Sequence, residues 1–251
     1  MARILSISDI HENVGVIKEI INTVSFDALF LCGDIVELRS IEFRDLILGI
    51  ERKMLIIGGN HDCIQCYRRI ASKRDNIVFM YRGTVEMEID NELFTVLCLS
   101  GIYSRRKRDM FHYTDRDILK VLRKVIQDCC DMDIIVTHTP PYRMADYLPK
   151  GGRGGLKQLL VFRDALKPKY WISGHTHVLA CERVDGTIAI NCGLGYIGDL
   201  CLIDTKRENI MLGRLVSKEI SIEEDPVWDF LRHIRSTDSY MRVLAESSKM
   251  L

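Results

Sequence analysis

The sequence contains no apolar run that approaches the length of a membrane span. Its N-terminus lacks the charged region, the long apolar stretch and the small-residue cleavage site of a secretory signal peptide. These absences argue against a membrane-spanning or secreted protein. We therefore expect a soluble protein of the cytoplasm.

An excess of charge of one sign is also missing, because 35 basic residues balance 35 acidic ones. This balance gives no general attraction to a membrane and does not favour nucleic acid, which stays an alternative partner. The nine cysteines include one C-x-x-C pair, Cys63 and Cys66, without the second pair that a zinc site needs. An odd number of cysteines in a chain without a secretory signal argues against a disulfide framework.

The length of 251 residues, 47% of them hydrophobic, is enough to bury a full core. We expect one domain over residues 1–217. For residues 218–251 we predict a C-terminal helical tail that packs on the domain or at a homodimer contact, because an interrupted amphipathic pattern runs from Val227 to about Ser247. Within the domain, Asp90-Asn91 and Asp185-Gly186 predict the turns of two hairpins.

Residue types that ligate metals occur at five places, each after a short apolar run that is typical of a buried strand. They are Asp9 with His11, then Asp34, then Asn60 with His61 and Asp62, then His138, and finally His175 with His177. Ligand sites of open α/β sheets form outside the carboxyl ends of the strands. We therefore expect these five loops to converge on one point.

The types of donor atom indicate which metal ions would bind and which reaction they would support. Asp9 and His11 are two residues apart, so both can reach one ion. Asp34 has two carboxylate oxygens that can bridge two ions, and Gly33 before it lets the backbone come close. Carboxylate, amide and imidazole donors together favour Mn, Fe, Zn or Ni over Ca or Mg, and we favour manganese. Two adjacent ions of this kind hydrolyse phosphate esters.

The order D-x-H, G-D, G-N-H-D, H and G-H-x-H resembles the signature of the calcineurin-like metallophosphoesterases, especially their small bacterial and archaeal phosphodiesterase-like members, over about residues 2–205. The resemblance implies an α/β fold, a four-layer α/β/β/α sandwich of two mixed β-sheets flanked by helices. It also implies a binuclear metal centre. One divalent metal ion would be held by Asp9, His11, Asp34 and His177, and the other by Asp34, Asn60, His138 and His175.

The same resemblance implies that His61, Asp62 and Asn60 are the catalytic residues. The histidine that matches His61 lies over the substrate phosphate, so His61 would stabilise the transition state or protonate the leaving oxygen, with Asp62 orienting its ring. The nucleophile would be a hydroxide that bridges the two metals, so no Ser or Cys nucleophile is required. The alternative is that His61 only supports Asn60.

Two loops carry candidate substrate contacts. Residues 105–108 are all basic, and Arg105 and Arg106 can grip a phosphate-rich substrate such as a nucleotide. The alternative is a solvated surface loop. A glycine-rich segment over residues 139–155 resembles the His-x-Pro-Pro stretch and the following loop of the small bacterial and archaeal members. The resemblance implies that Arg153, or the backbone amides near the start of the next helix, holds a substrate oxygen, and the alternative is a connection that binds no ligand.

The domain lacks a large inserted cap that would enclose one substrate, which favours a phosphodiesterase that acts on a nucleotide or another small phosphodiester. The alternatives are a phosphomonoesterase, including a protein phosphatase, and a nuclease. An inactive scaffold of the same fold is disfavoured because every ligand position is filled. Glu12 stands where the family often has glycine, and its negative charge favours diesters over the more highly charged monoesters. The alternative is that Glu12 points to solvent.

Overall fold

The strands and helices alternate through most of the chain in the computed structural model, which describes residues 2–35, 41–106, 110–128, 131–216 and 219–224. The strands are β1 (Arg3–Ile7), β2 (Ala28–Cys32), β3 (Lys53–Ile57), β4 (Ile77–Phe79), β5 (Arg82–Ile89), β6 (Glu92–Leu99), β7 (Ile102–Tyr103), β8 (His112–Tyr113), β9 (Ile134–Thr137), β10 (Tyr170–Ser173), β11 (Leu179–Val184), β12 (Thr187–Cys192), β13 (Asp199–Asp204), β14 (Asn209–Val216) and β15 (Glu219–Glu224). The helices are α1 (Val14–Thr23), α2 (Ile41–Gly49), α3 (Ile64–Ala71), α4 (Asp115–Gln127) and α5 (Leu160–Leu166), with 3₁₀ turns at Lys157–Leu159 and Gly195–Ile197. Among the described residues, no helix has both the length and the apolar character needed to cross a membrane.

Two large mixed sheets organise the molecule. In the first sheet the strand order is β15-β14-β13-β1-β2-β3-β4, and β1 to β4 run parallel to one another. In the second sheet the order is β11-β12-β10-β9-β6-β5, and β6, β9, β10 and β12 run parallel. The short strands β7 and β8 form a separate parallel pair.

Alternate residues of the central strands face different cores, because successive side chains of a strand point to opposite faces. Ile4 and Phe30 lie in a core between the two sheets. Their neighbours Leu5 and Leu29 belong to a second core on the outer face of the first sheet. The near-continuous apolar character of β1 and β2 follows from burial on both faces.

The helices cover the outer faces of the two sheets. On the first sheet, helices α1, α2 and α3 bury Ile17, Phe43 and Tyr67 in the outer core. On the second sheet, α4 and α5 bury Ile118 and Phe162. The layers are therefore α/β/β/α, which confirms the predicted four-layer sandwich.

Both predicted hairpins are confirmed. Asp90 and Asn91, with φ of 48° and 62°, connect β5 to β6. Asp185 and Gly186, with φ of 49° and 88°, connect β11 to β12. Positive φ at both central residues is typical of a type I′ turn, whose twist matches that of the flanking strands.

The C-terminal part of the described chain differs from its prediction. Strand β15 pairs antiparallel with β14, so the first sheet continues beyond the predicted domain boundary at residue 217. The predicted helical tail over residues 218–251 is therefore wrong for Glu219–Glu224, which form a strand. Residues 225–251 lie outside the described residues, and the packing of this tail stays a prediction.

The pair Cys63 and Cys66 begins helix α3. The sulfur of Cys63 accepts a hydrogen bond of 3.4 Å from the backbone N–H of Cys66, so it caps the helix. Within the described part of the chain, no disulfide bond is formed by the cysteines Cys32, Cys63, Cys66, Cys98, Cys181, Cys192 and Cys201.

Candidate metal centre

The loops that follow β1, β2, β3, β9 and β10 meet at one end of the two sheets, as predicted. Within the first sheet, the backbone N–H of Asp9 donates to the carbonyl of Gly33 at 2.9 Å. Across the sheets, the backbone N–H of His175 donates to Oδ2 of Asp9 at 2.8 Å. The second of these bonds joins loops that lie more than a hundred residues apart in the chain.

The predicted metal ligands form two compact groups. The first contains Asp9, His11 and His177, and the second contains Asp34, His138 and His175. Within each group the ligand atoms lie within 4.8 Å of one another. His177 Nε2 is 3.2 Å from Asp9 Oδ1, and His138 Nε2 is 3.2 Å from Asp34 Oδ2. Each group therefore combines carboxylate oxygen from the first sheet with imidazole nitrogen from the second.

Buried donor atoms without partners show that these residues fit divalent ions. His11 Nε2 and Asn60 Oδ1 are buried and accept or donate no hydrogen bond within the described part of the chain. A buried polar atom without a partner costs about 1–3 kcal/mol, and a bound cation removes that cost. Asn60, the seventh predicted ligand, thus presents a free carbonyl oxygen.

The backbone at the site is strained. Five ligand residues have a left-handed backbone, with φ of 55° at Asp9, 42° at His11, 49° at Asp34, 67° at His175 and 60° at His177. This conformation costs a residue with a side chain about 1–2 kcal/mol. Such strain persists where surrounding contacts hold it in place, and it concentrates at functional sites.

Two glycines permit the close approach of the ligand loops. A Cβ atom on Gly33 would lie 2.5 Å from Nδ1 of His138, and one on Gly59 would lie 2.1 Å from Oδ1 of Asp34. Both distances are far shorter than any van der Waals contact, so larger residues would push the ligands apart. The predicted role of Gly33 is confirmed.

His138 is oriented by a backbone carbonyl. Its Nδ1 lies 2.9 Å from the carbonyl oxygen of Cys32 and donates to it, which leaves Nε2 facing Asp34. A ring held in this way presents its other nitrogen to a metal. Burial disfavours the charged ring, but the nearby carboxylates of Asp34 and Asp9 outweigh burial and raise the pKa of His138 to about 10.

The electrostatics of the other ligands follow from the same charges. Burial raises the pKa of Asp34, but the His138 ring outweighs it and holds this pKa well below its usual range. Burial and the neighbouring His138 lower the pKa of His175 to about 4. Burial also lowers the pKa of His11. At neutral pH the site therefore offers an ionised Asp34 carboxylate and neutral rings at His11 and His175.

Asp62 joins two of the ligand loops. Its carboxylate accepts hydrogen bonds from the backbone N–H groups of Asp34 at 2.8 Å, Ile35 at 3.0 Å and Gly59 at 2.6 Å. These contacts hold the loop after β2 against the loop after β3. The predicted role of Asp62 in orienting the His61 ring stays a prediction.

His61 stands at the mouth of the site. Its backbone N–H donates to Oδ1 of Asp34 at 2.9 Å, while its side chain is exposed. The His61 ring meets the His11 ring edge to face, with 5.8 Å between the ring centres. An exposed imidazole beside the first ligand group can exchange protons with a bound molecule.

Asn191 was not among the site residues predicted from the sequence, but its hydrogen bonds hold the loop that carries His175 and His177. This buried residue donates from Nδ2 to the carbonyl of Gly174 at 3.0 Å and to Oγ1 of Thr176 at 2.8 Å. Thr176 lies between the ligands His175 and His177. The feature of the sequence that could have indicated this role is a polar residue near the carboxyl end of β12, a strand that runs parallel to β10.

The three arginines that were predicted to contact substrate lie in different surroundings. Arg105 and Arg106 are exposed and follow β7, and residues 107 and 108 lie outside the described residues. The residues described on either side of this segment pack beside Gly58, since a Cβ on Gly58 would lie 2.2 Å from the ring of Phe111 and the backbone N–H of Gly101 donates to the carbonyl of Gly58 at 2.7 Å. Arg153 instead pairs with the buried Asp146 at 2.8 Å and with Glu182 at 3.4 Å.

Comparison with known proteins agrees with this geometry. Residues 2–196 match the family model of the calcineurin-like phosphoesterase superfamily domain. The fold is similar to that of the protein TT1561 of Thermus thermophilus, with a TM-score of 0.69 and 12% identity over 89% of this chain and 98% of that one. It is also similar to a novel archaeal phosphodiesterase, with a TM-score of 0.50 and 18% identity over 88% of this chain and 99% of that one.

A third similar structure is the phosphopantetheinyl hydrolase PptH of Mycobacterium tuberculosis, with a TM-score of 0.50 and 15% identity over 77% of this chain and 89% of that one. Identities this low show a shared fold and do not select a substrate. Among curated proteins, no sequence matches the chain significantly.

Proposed function

Because the chain belongs to the calcineurin-like phosphoesterase superfamily, we propose that it is a metal-dependent phosphoesterase and, more specifically, a phosphodiesterase. The observation that carries the proposal is the pair of adjacent donor groups, Asp9 with His11 and His177, and Asp34 with His138 and His175. Adjacent divalent ions are a recurring device of enzymes that cleave phosphate esters.

In this proposal one ion is held by Asp9, His11, Asp34 and His177, and the second by Asp34, Asn60, His138 and His175. Ions bound there would neutralise charge on the phosphate oxygens and supply an activated water at neutral pH. Manganese is the favoured metal, since the mixed oxygen and nitrogen donors suit it. The orphaned atoms His11 Nε2 and Asn60 Oδ1 support this assignment.

His61 is the proposed acid. Its backbone is anchored to Asp34, a ligand, while its ring stays exposed at the mouth of the site. This arrangement fixes the ring near a bound phosphate group without giving it to a metal. A proton from the ring can pass to the leaving oxygen of the ester, a contribution that is typically worth roughly two to four powers of ten in rate.

The preference for diesters is supported by Glu12. This residue directly follows the ligand His11, its side chain is exposed, and its backbone is left-handed with φ of 68°. The carboxylate adds negative charge beside the site, and at neutral pH a diester carries less negative charge than a monoester. We therefore propose that a nucleotide or another small phosphodiester is the substrate.

A phosphomonoesterase is the second candidate. The observation that favours it is that Arg105 and Arg106 are exposed and follow Gly101, whose backbone N–H donates to the carbonyl of Gly58 at 2.7 Å, two residues before Asn60. Two cations at this place attract the more highly charged monoester.

The test compares two chromogenic esters with metal-stripped protein, before and after addition of Mn²⁺. Turnover of bis-p-nitrophenyl phosphate above that of p-nitrophenyl phosphate, dependent on Mn²⁺, supports the phosphodiesterase. The reverse preference supports the phosphomonoesterase. His138→Ala serves as the control variant, because it removes a ligand of the second ion and should abolish metal-dependent turnover of both esters. Absence of turnover with Mn²⁺, Ni²⁺, Zn²⁺ and Fe²⁺ contradicts both candidates.

A further inference from the structure

Residues 139–156, which we call the rim loop, follow the ligand His138 and return toward the site before helix α5. We propose that the rim loop is a preformed wall of the substrate site, in which Leu148 contacts the organic group of the ester. Leu148 would then be a specificity-determining residue that favours esters with an aromatic or apolar group. This inference rests on the proposed function.

The base of the rim loop is held by the buried carboxylate of Asp146. Its Oδ2 accepts from the backbone N–H of Gly155 at 3.0 Å, and its Oδ1 accepts from Nη1 of Arg153 at 2.8 Å. The backbone carbonyl of Asp146 also accepts from the N–H of Gly154 at 2.8 Å. The two arms of the loop are therefore fixed to each other.

Strand β11 holds the rim loop at a second place. Glu182 accepts from the backbone N–H of Ala145 at 2.7 Å and from the hydroxyl of Tyr147. The guanidinium of Arg153 lies 4.0 Å from the centre of the Tyr147 ring. Because β11 belongs to the second sheet, these contacts tie the rim loop to the rigid body of the protein.

Leu148 lies at the tip of this fastened loop. Its backbone N–H donates to the carbonyl of Gly152 at 3.3 Å, and its carbonyl accepts from the N–H of Gly151 at 2.9 Å. The side chain folds back over Gly154, where an added Cβ would lie only 2.7 Å from Cδ2 of Leu148. Even so, 39% of Leu148 is exposed, so an apolar surface is held in a fixed position.

Thr176 connects this tip to the metal ligands. The same added Cβ on Gly154 would lie 3.0 Å from Cγ2 of Thr176, so the Thr176 methyl group and Leu148 flank one point. The Thr176 hydroxyl bonds to Asn191, which turns the methyl group toward the rim loop. Since Thr176 lies between His175 and His177, Leu148 packs beside the loop that carries these two predicted ligands.

Solvent reaches some of the predicted ligands and not others. The side chains of His11 and His177 are 22% and 21% exposed, whereas those of Asp9 and His138 are fully buried. In this proposal a phosphate ester approaches over the exposed rings of His11 and His177, and its organic group extends past the loop of His177 toward Leu148. An apolar contact held in place before binding adds affinity with little loss of conformational entropy.

The experiment measures kcat and KM of the Mn²⁺-loaded protein for bis-p-nitrophenyl phosphate and for ethyl p-nitrophenyl phosphate, which replaces one aromatic group by a short alkyl group. Leu148→Ala should lower kcat/KM for the bis-aryl ester by about tenfold, chiefly through KM, and leave the ethyl ester within about twofold. Leu148→Met should retain most of the preference for the bis-aryl ester, because methionine keeps the apolar volume of the side chain.

The matched control is Leu93→Ala, since Leu93 is 63% exposed near the start of β6, at the opposite end of the sheet from the site. It should leave both esters unchanged. An equal loss for the two esters in Leu148→Ala, or a loss confined to kcat, overturns the inference while the hydrolase assignment stands. Absence of turnover of either ester by the unmodified protein overturns both proposals together.

Discussion

The carboxylate of Asp62 accepts a hydrogen bond of 2.8 Å from the backbone N–H of Asp34, whose own side chain is the proposed bridge between two ions. Asp34 has a left-handed backbone, with φ of 49°. Because Asp62 also accepts from Gly59 at 2.6 Å, one carboxylate holds both the strained bridge and the loop of Asn60. The contacts place Asp62 as a positioning residue for the metal ligands.

Asp62→Ala should weaken Mn²⁺ binding by about 10–100-fold, because partners that orient ligands typically contribute that much to metal affinity. Calorimetric titration of the metal-stripped protein measures the change, and excess Mn²⁺ should restore part of the turnover. Glu51→Ala, which alters an exposed carboxylate just before β3 at the far end of the sheet, is the control. Unchanged Mn²⁺ affinity in Asp62→Ala would rule out this role.

His61→Ala should lower turnover by roughly two to four powers of ten, because it removes the proposed proton donor. Its metal content should stay that of the unmodified protein, since the ring is not among the proposed ligands. Metal analysis of the purified variant and initial rates with bis-p-nitrophenyl phosphate provide the two measurements. Retained activity would show that His61 is not the acid.

Metal binding should strengthen as pH rises. In the protein without metal, the charges of Asp34 and Asp9 overcome burial and raise the pKa of His138 from 6.5 to about 10. The protonated ring therefore stabilises the metal-free fold fully below about pH 6.5, and this stabilisation is lost as pH rises toward 10. A metal must displace that proton, so its affinity rises with pH over the same range.

Calorimetry between pH 6 and pH 8.5 should show Mn²⁺ affinity rising by up to about tenfold per pH unit for one displaced proton. The same titrations, repeated in buffers of different ionisation heat, should detect the released proton directly. A pH-independent affinity without proton release would contradict the charged state assigned to His138.

Arg153→Ala distinguishes a structural role from a substrate contact. Without the guanidinium, the buried Asp146 loses its charged partner at 2.8 Å, and the free energy of unfolding should fall by about 1–3 kcal/mol. Denaturant titration measures this change, with Arg143→Ala, an exposed arginine of the same loop, as the control. A large rise in KM at unchanged stability would instead support the substrate contact predicted from the sequence.

Glu12→Gly should raise monoester turnover relative to diester turnover, because it removes negative charge beside His11. It should also raise the free energy of unfolding by about 1 kcal/mol, since glycine adopts the left-handed backbone of φ 68° without strain. Paired kinetics with the two nitrophenyl esters and a denaturant titration check these effects separately. An unchanged ester ratio would remove Glu12 from the account of specificity.

The convergence of Asp9 and Asp34 could be predicted because each follows a buried parallel strand of one sheet, and such strands end at the same edge. That His138, which follows β9 of the second sheet, joins them followed from the resemblance in the order of the motifs. The four-layer fold followed from the resemblance in the order of the motifs. The hairpin turns could be predicted from Asp90-Asn91 and Asp185-Gly186, since turn chemistry is local. These features depend on neighbouring residues or on a complete motif.

The remaining features depend on partners that are distant in the chain. Nothing near Arg153 in the sequence indicates that Glu182, from another strand, lies 3.4 Å away. The predicted substrate contact of Arg153 stays a prediction. Asn191 was overlooked as a support of Gly174 for the same reason. Strand β15 was misassigned because its pairing with β14 forms only once the first sheet is built.

The division of the ligands between the two sheets has a consequence for biosynthesis. The first donor group needs His177 to complete it, and the second needs His175, although their carboxylates come from Asp9 and Asp34. A ribosome that has translated only the first sheet's parallel strands has therefore made neither group. Strand β1 also lacks its antiparallel neighbour until β13, which begins at Asp199, has been synthesised. Neither donor group can therefore offer its full set of ligands to an ion before the chain has been synthesised through His175 and His177.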